Sequence, residues 1–376
     1  MKRIGHGLMV AQVLGLVSLG WSPTVAGQEP KRGGEGAEMS PSLGPVRTLE
    51  YKRVSSIKFS RDGRRISAAL PRAIAVWNGE TGLRLKHIEN PPEQWLLDLA
   101  CDDSGLRIVT GGMFDLGYTK DLFRAHRVKR GSLAKLWDGG SGEMRRTLVL
   151  DESRYFQMAT ISREGTRVAC VDGKLNFKLW EADTGRELAA VVGPIPEPAE
   201  SLSGSFSGDA TRFASLVDRP GQRKGLFLCD LAAQTTREVS PLADGRSGFG
   251  LAAISEGGWE VAVWVLFAPE QEITIFDFAT GGLRSRLRVP ECANLSYLAF
   301  SPDGRTIAFG KEDGHLGLVD RASGASIARF RVSDGPVRAV VFLPDRVRVV
   351  AERKVVQDTG MLGNLRLADY AVQWSP

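Results

Sequence analysis

With 376 residues, 43% of them apolar and 25% charged, the chain has the composition of a folded globular protein and lacks the bias of a disordered or fibrous one. Its formal net charge of +5 is small for this length and gives little support for nucleic-acid binding, which normally shows a dense basic face, so no nucleic-acid partner is expected.

The N-terminus has its own character. A basic start, "MKRIGHG", is followed by the fourteen-residue apolar run "LMVAQVLGLVSLGW" and the small-residue exit "SPTVAG". That order is the plan of a secretory signal peptide, with cleavage near Ala26 or Gly27. A spanning helix needs roughly 20 apolar residues, so cleavage is favoured over retention as an anchor. Residues 1–27 are thus expected to send the chain to a secreted or periplasmic location and to leave no membrane span. Losing Lys2 and Arg3 lowers the charge to +3. Residues 28–45, "QEPKRGGEGAEMSPSLGP", lack apolar periodicity and are predicted to be a disordered tether.

From residue 46 the chain repeats. Seven stretches, among them "VSSIKFSRDGRRISAAL" from 54 and "LSYLAFSPDGRTIAFGK" from 295, read as apolar strand, short polar turn, apolar strand. A third strand follows in each: "AIAVWN", "LAKLWD", "NFKLWE", "LFLCD", "ITIFD", "LGLVD" and "LRLAD". Five units continue through "GETG", "GGSG", "ADTG", "FATG" or "RASG" into a fourth strand, and the fourth and seventh units lack that motif. The first turns align at Gly63, Gly105, Gly165, Ala210, Gly258, Gly304 and Arg346, spaced 42, 60, 45, 48, 46 and 42. A period near 45 with four strands per unit predicts an all-β, seven-bladed β-propeller over residues 46–376, built of four-stranded antiparallel blades. The last unit stops at its third strand, whereas "GPVRTLEY" arrives before any blade can hold it. Pairing of the two would close the ring with an N-terminal strand.

On "VWN", "LWD", "LWE", "SRDG" and "SPDG", the chain resembles the WD-repeat β-propeller family over roughly residues 46–373. The resemblance implies a protein-binding scaffold and a blade-packing role for Trp77, Trp137 and Trp180. Family members usually carry a Gly-His pair before the innermost strand, whose His bonds towards that Trp. The connections here, such as "EYKRVSS" and "SDGPVRA", contain no His, so cohesion is expected from packing between blades.

Motifs for catalysis are sparse. Beyond His6, the histidines are His87 on an outer strand, His126, and His315 at a tight turn, and no GxSxG, HExxH or phosphate-cradling loop occurs. "DDSG" at 102–105 reads as a hairpin turn. Cys101, Cys170, Cys229 and Cys292 could pair in three ways, but they fall on different strand layers and are expected to be mostly buried thiols. Zinc-ligand spacing is absent, and no metal or cofactor is expected.

Loop length is the remaining signal. The connection between second and third strands is longest in unit two, 113–132, where Lys120, Arg124, Arg127, Lys129 and Arg130 against Asp115 and Asp121 give +3, equal to the charge of the whole processed chain. Phe114, Tyr118 and Phe123 add apolar area, and "TKDLFRAHRVKRG" predicts a short helix from Thr119 to Gly131. Arg223 and Lys224 in unit four, and Arg353 and Lys354 in unit seven, extend the basic rim. The expectation is a non-catalytic scaffold whose long basic loops take a protein partner, with an acidic one favoured by the charge and the propeller itself monomeric. The alternative is a propeller enzyme or small-molecule binder with its site at the central channel.

Overall fold

In the computed structural model, residues 46–50, 54–70, 72–90, 94–118, 128–151, 156–193, 201–218, 225–239, 250–265, 272–289, 292–353 and 364–372 are described, with side chains 113–131 left aside. Residues 1–45, read above as signal peptide and tether, lie outside them. The described residues form seven four-stranded antiparallel sheets. Blade 1 is Ser56–Phe59, Arg65–Leu70, Ala73–Asn78 and Arg84–Glu89. Blade 2 is Gln94–Cys101, Arg107–Tyr118, Val128–Asp138 and Met144–Asp151, and blade 3 is Phe156–Ile161, Arg167–Asp172, Phe177–Glu181 and Glu187–Val191. Blade 4 comprises Ser201–Phe206, Arg212–Asp218, Gly225–Asp230 and Thr235–Val239; blade 5 comprises Gly250–Ile254, Glu260–Val265, Glu272–Asp277 and Leu283–Arg288. Blade 6 runs through Leu295–Phe300, Thr306–Lys311, His315–Asp320 and Ser326–Arg331. Blade 7 takes Val337–Phe342, Arg346–Arg353 and Asn364–Ala371 from the C-terminus, and its outer strand, Arg47–Glu50, from the N-terminus.

That last strand is the expected clasp. Arg47 faces Leu367 and Glu50 faces Asn364, while Leu49 is buried with Leu365, Leu367 and Val350. Second strands are buried on both faces because each lies between neighbouring blades, and Arg65–Leu70 and Glu260–Val265 show the continuous apolar runs this requires.

One local solution recurs at the first turn. A buried Ser60, Ser162, Ser207, Ser255 or Ser301 accepts a hydrogen bond through Oγ from the N–H that opens the second strand, at 2.9–3.0 Å. Asp102 does the same in blade 2 at 3.1 Å. The chain then reverses through a left-handed residue, Gly63, Gly105, Gly165, Gly258 or Gly304, and in blade 4 Ala210 adopts φ 61° at that position. Blade 7 departs. Leu343 replaces the serine and its N–H donates to the Arg346 carbonyl, so Arg346 already opens the strand and is not the equivalent of Gly63. Blade 4, which lacks the second turn motif, still makes that turn with Gln234 at φ 54°.

Trp77, Trp137 and Trp180 are buried between blades as expected. Trp137 Nε1 donates to Thr110 Oγ1 at 2.8 Å, but the repeated polar link between blades is made by arginine. Arg65 lies across Gly105, Arg107 across Gly165 and Arg212 across Gly258, each reaching from one blade to the left-handed turn of the next. Arg348 Nη1 donates to the Gly63 carbonyl at 2.8 Å across the closure. A second ring of long side chains does the same at the outer turns: Lys86 over Gly142, Arg146 over Gly185, Arg237 over Gly281, and Arg47 of the clasp over Gly82.

Candidate functional site

Antiparallel blade topology puts the first turn of every blade, and the second turn of blades 1 to 6, on one face, the turn face, and the second-to-third connections with the interblade links on the other, the loop face. On the loop face, blade 2 is unlike the rest. Its second and third strands stay paired past their neighbours, through Phe114↔Gly131 and Asp115↔Arg130 to Tyr118↔Val128, with an irregularity between Asp115 and Tyr118. The innermost strand ends its pairing at Gln94↔Phe114 and the outermost at Ser132↔Asp151. Beyond those pairs the hairpin is a two-stranded arm, and no other described strand covers either edge.

The arm corrects the expected loop. Phe114, Tyr118, Lys129 and Arg130 stand on its strands. Gly131 is a strand residue rather than a helix terminator, because the ladder runs through it. Lys120, Phe123, Arg124 and Arg127, with the remainder of the predicted helix, lie outside the described residues, as do Arg223, Lys224 and Lys354. Arg353 is exposed at the loop-face end of its strand.

The turn face carries a feature that sequence reasoning missed. The residue after each turn serine joins its neighbour: Arg61 N–H donates to the Asp103 carbonyl, Asp103 to Arg163, Arg163 to Gly208 and Gly208 to Glu256, at 2.8–3.1 Å. Blades 6 and 7 carry Pro302 and Pro344 at this position, and proline has no N–H to continue the ring. Side chains from four blades lie over the linked sector. Arg61 meets Glu256 at 2.6 Å and Asp103 at 3.6 Å, while Arg163 meets Asp103 at 3.1 Å and also pairs with Glu256. Desolvation pushes the Asp103 carboxyl above its ordinary value, with Arg61 opposing and Glu164 adding to the rise. Beside this quartet, a depression of about 1210 Å³ opens towards Pro302, Asp303, Leu343 and Pro344. The signal available in sequence was the pair of prolines in "SPDG" and "LPDR".

The four cysteines are free. Burial pushes the thiols of Cys101 and Cys229 up to about 12 and that of Cys292 to about 11, and raises Cys170 further. His315 Nδ1 sits 3.0 Å from Asp313 Oδ1 at the turn that opens its strand. Among the described residues no group of three or more His, Cys, Asp or Glu could hold a metal ion, and no helix is long and apolar enough to cross a membrane.

These features define a seven-bladed β-propeller closed by an N-terminal strand, with arginine links on one face and a projecting arm on the other. Two curated proteins share stretches of its sequence. The "Periodic tryptophan protein 2 homolog" of Dictyostelium discoideum is 38% identical over 76 residues, 20% of this chain and 8% of that protein. The "Tricorn protease homolog 1" of Streptomyces coelicolor is 35% identical over 92 residues, 23% of this chain and 9% of that protein. The first supports the WD-repeat resemblance, and in both cases less than a tenth of the relative's length is matched. No family model matches the chain.

Proposed function

We propose that this propeller is a non-catalytic protein-interaction scaffold of an exported compartment, holding its partner on the loop face through the arm of blade 2. The observation that carries the reading is the ladder that continues to Tyr118↔Val128 after both flanking strands have stopped. A ribbon with open edges offers main-chain N–H and C=O groups to an added strand. The basic residues at 120–130 would draw an acidic partner towards it. Export rests on the tripartite N-terminus, and sequencing the N-terminus of the mature chain tests it: a start at residue 27 or 28 supports cleavage, and Met1 in a membrane fraction opposes it.

To test the arm, Arg124, Arg127, Lys129 and Arg130 are replaced together by Glu and the proteins recovered with the chain from the cell envelope are compared. Loss of an acidic partner at unchanged melting temperature is expected; an identical recovered set overturns the assignment. The tricorn stretch and the turn-face depression favour a second reading, a channel-centred enzyme. Against it stands the pairing of Asp103 and Glu256 with arginines over the mouth, which occupies the carboxylates that acid–base chemistry would use. Peptide hydrolysis that disappears in Glu256→Gln would reverse this preference.

A further inference from the structure

We propose that the loop-face end of the junction between blades 6 and 7 is an oxyanion site, taking a phosphate or sulfate monoester between Arg353 and Arg366 against the main chain at Arg331. A pocket of about 510 Å³ lies there, lined by these residues with Thr48, Ser333 and Asp334. Register explains the convergence. Arg366 pairs with Thr48 of the clasp on one side and Ala351 on the other, and Arg353 pairs with Asn364, so Thr48, Arg353 and Arg366 share one face of blade 7. That face looks at blade 6, because Ala351, Ala368 and Tyr370, in the same alternation, pack with Phe330 and Val332. Arg331 follows Phe330 directly, and Tyr370 Oη donates to its carbonyl at 3.1 Å, fixing the opposite wall.

Phe330 and Val332 both pack towards blade 7, so alternation turns the Arg331 side chain to the other face and only its main chain walls the pocket. Charge makes the junction unusual. The guanidiniums of Arg353 and Arg366 against the single carboxylate of Asp334 leave +1 in the lining. Neither of the two makes an ion pair with a described residue, whereas turn-face arginines such as Arg61, Arg163, Arg284 and Arg348 all do. Arg366 is half-buried. Its cross-strand neighbours, Thr48 and Ala351, carry no charge. A partly desolvated cation without an ion-pair partner is costly, and guanidinium forks match tetrahedral oxyanions in bidentate fashion. The volume falls within the roughly 300–1,000 Å³ of small-molecule sites, which leaves room for the organic part of an ester beside the anion.

The site does not depend on the arm. Chain lacking residues 1–27 is titrated in turn with inorganic phosphate, sulfate and phenyl phosphate at constant ionic strength, by calorimetry and melting temperature. Saturable binding is expected, with the phosphate and sulfate arms separating the two ester classes, and about tenfold weaker in Arg366→Gln. Arg353→Gln, at an exposed position, gives an independent reading if Arg366→Gln folds poorly, and it should weaken binding in the same direction. Glu substitutions in the arm should leave the affinity unchanged. Failure of all three anions to saturate, or undiminished affinity in both Gln variants, overturns the assignment.

Discussion

The two faces of the ring use the same residue type for opposite ends. On the turn face, arginines are spent on structure: Arg107 donates to the Gly165 carbonyl at 2.9 Å and pairs with Asp183 at 2.7 Å, and Arg348 is buried against Asp369. On the loop face, Arg331, Arg353 and Arg366 meet no carboxylate partner among the described residues. Net charge therefore says little about which surface can attract a ligand. What matters is how much charge each face has already neutralised within itself.

If the turn face and the clasp hold the ring, damage there should cost most. Deleting residues 46–50 removes the outer strand of blade 7, the buried Leu49 and the Arg47 stem over Gly82 together. The expected loss is about 5 kcal/mol in urea unfolding, the cost of a large buried side chain plus an opened sheet edge. An unchanged midpoint would show that the ring closes without its clasp. Next comes Asp369→Ala, which strands Arg348 at 7% exposure. A loss of about 3 kcal/mol is expected, with much of it regained when Arg348→Met is added. Equal stability of the single and double variants would remove the buried pair from the explanation.

A smaller effect separates turn geometry from the arginine link. Gly165 and Gly304 share a left-handed φ, 72° and 74°, but a Cβ at Gly165 would lie 2.6 Å from Arg107 Cδ, while nothing lies within 4 Å at Gly304. Gly304→Ala should cost about 1 kcal/mol from backbone strain alone, and Gly165→Ala about 2. Adding Arg107→Ala to the latter should narrow the gap. Identical costs at both sites would mean that the arginine merely rests on the turn.

Acid should loosen the same face. Hydrogen bonds from the Thr280 N–H and then Arg284 hold the Asp277 carboxyl at about 2. A depressed carboxylate contributes stability that is complete above its unfolded value of 3.8 and lost as pH falls towards 2. Urea midpoints should therefore be flat above pH 5 and decline below pH 4, and Asp277→Asn should make that decline shallower.

How much of this was legible depends on whether the cause is local. The seven units, their hairpin turns and the clasp follow from short-range rules: a left-handed turn residue every 42 to 60 positions and a last unit short of one strand. Ala210 shows the limit even there, since alignment found the position although its side chain argues against φ 61°. The arm was visible as an interruption but misjudged in form. Gly111, Gly112 and Gly131 weaken the strand pattern, yet at Gly111 the reason is the Phe156 ring of the next blade, which fills the space of a Cβ. The Arg61–Glu256 pair spans 195 residues, and only closure of the ring brings those turns together. The basic junction at Arg366 needed the register of a strand contributed from the opposite terminus.

The smallest expected effect tests whether those links are the whole of the ring's covalent-free cohesion. Export, as proposed, would give four cysteines the chance to form disulfides. Yet Cys101 is on an innermost strand, Cys170 on a second, Cys229 on a third and Cys292 in a link between blades, all as free thiols. With the Cys101 and Cys229 thiols raised to about 12, only on the order of one in ten thousand is thiolate at pH 8, and the thiolate is the reactive form. Ellman's reagent at pH 8 should therefore find almost no reactive thiol in the folded chain and four in urea. Dithiothreitol should leave the melting temperature where it was. A fall with reductant would reveal a covalent link between blades and shift part of the ring's stability from the turn-face arginines to sulfur.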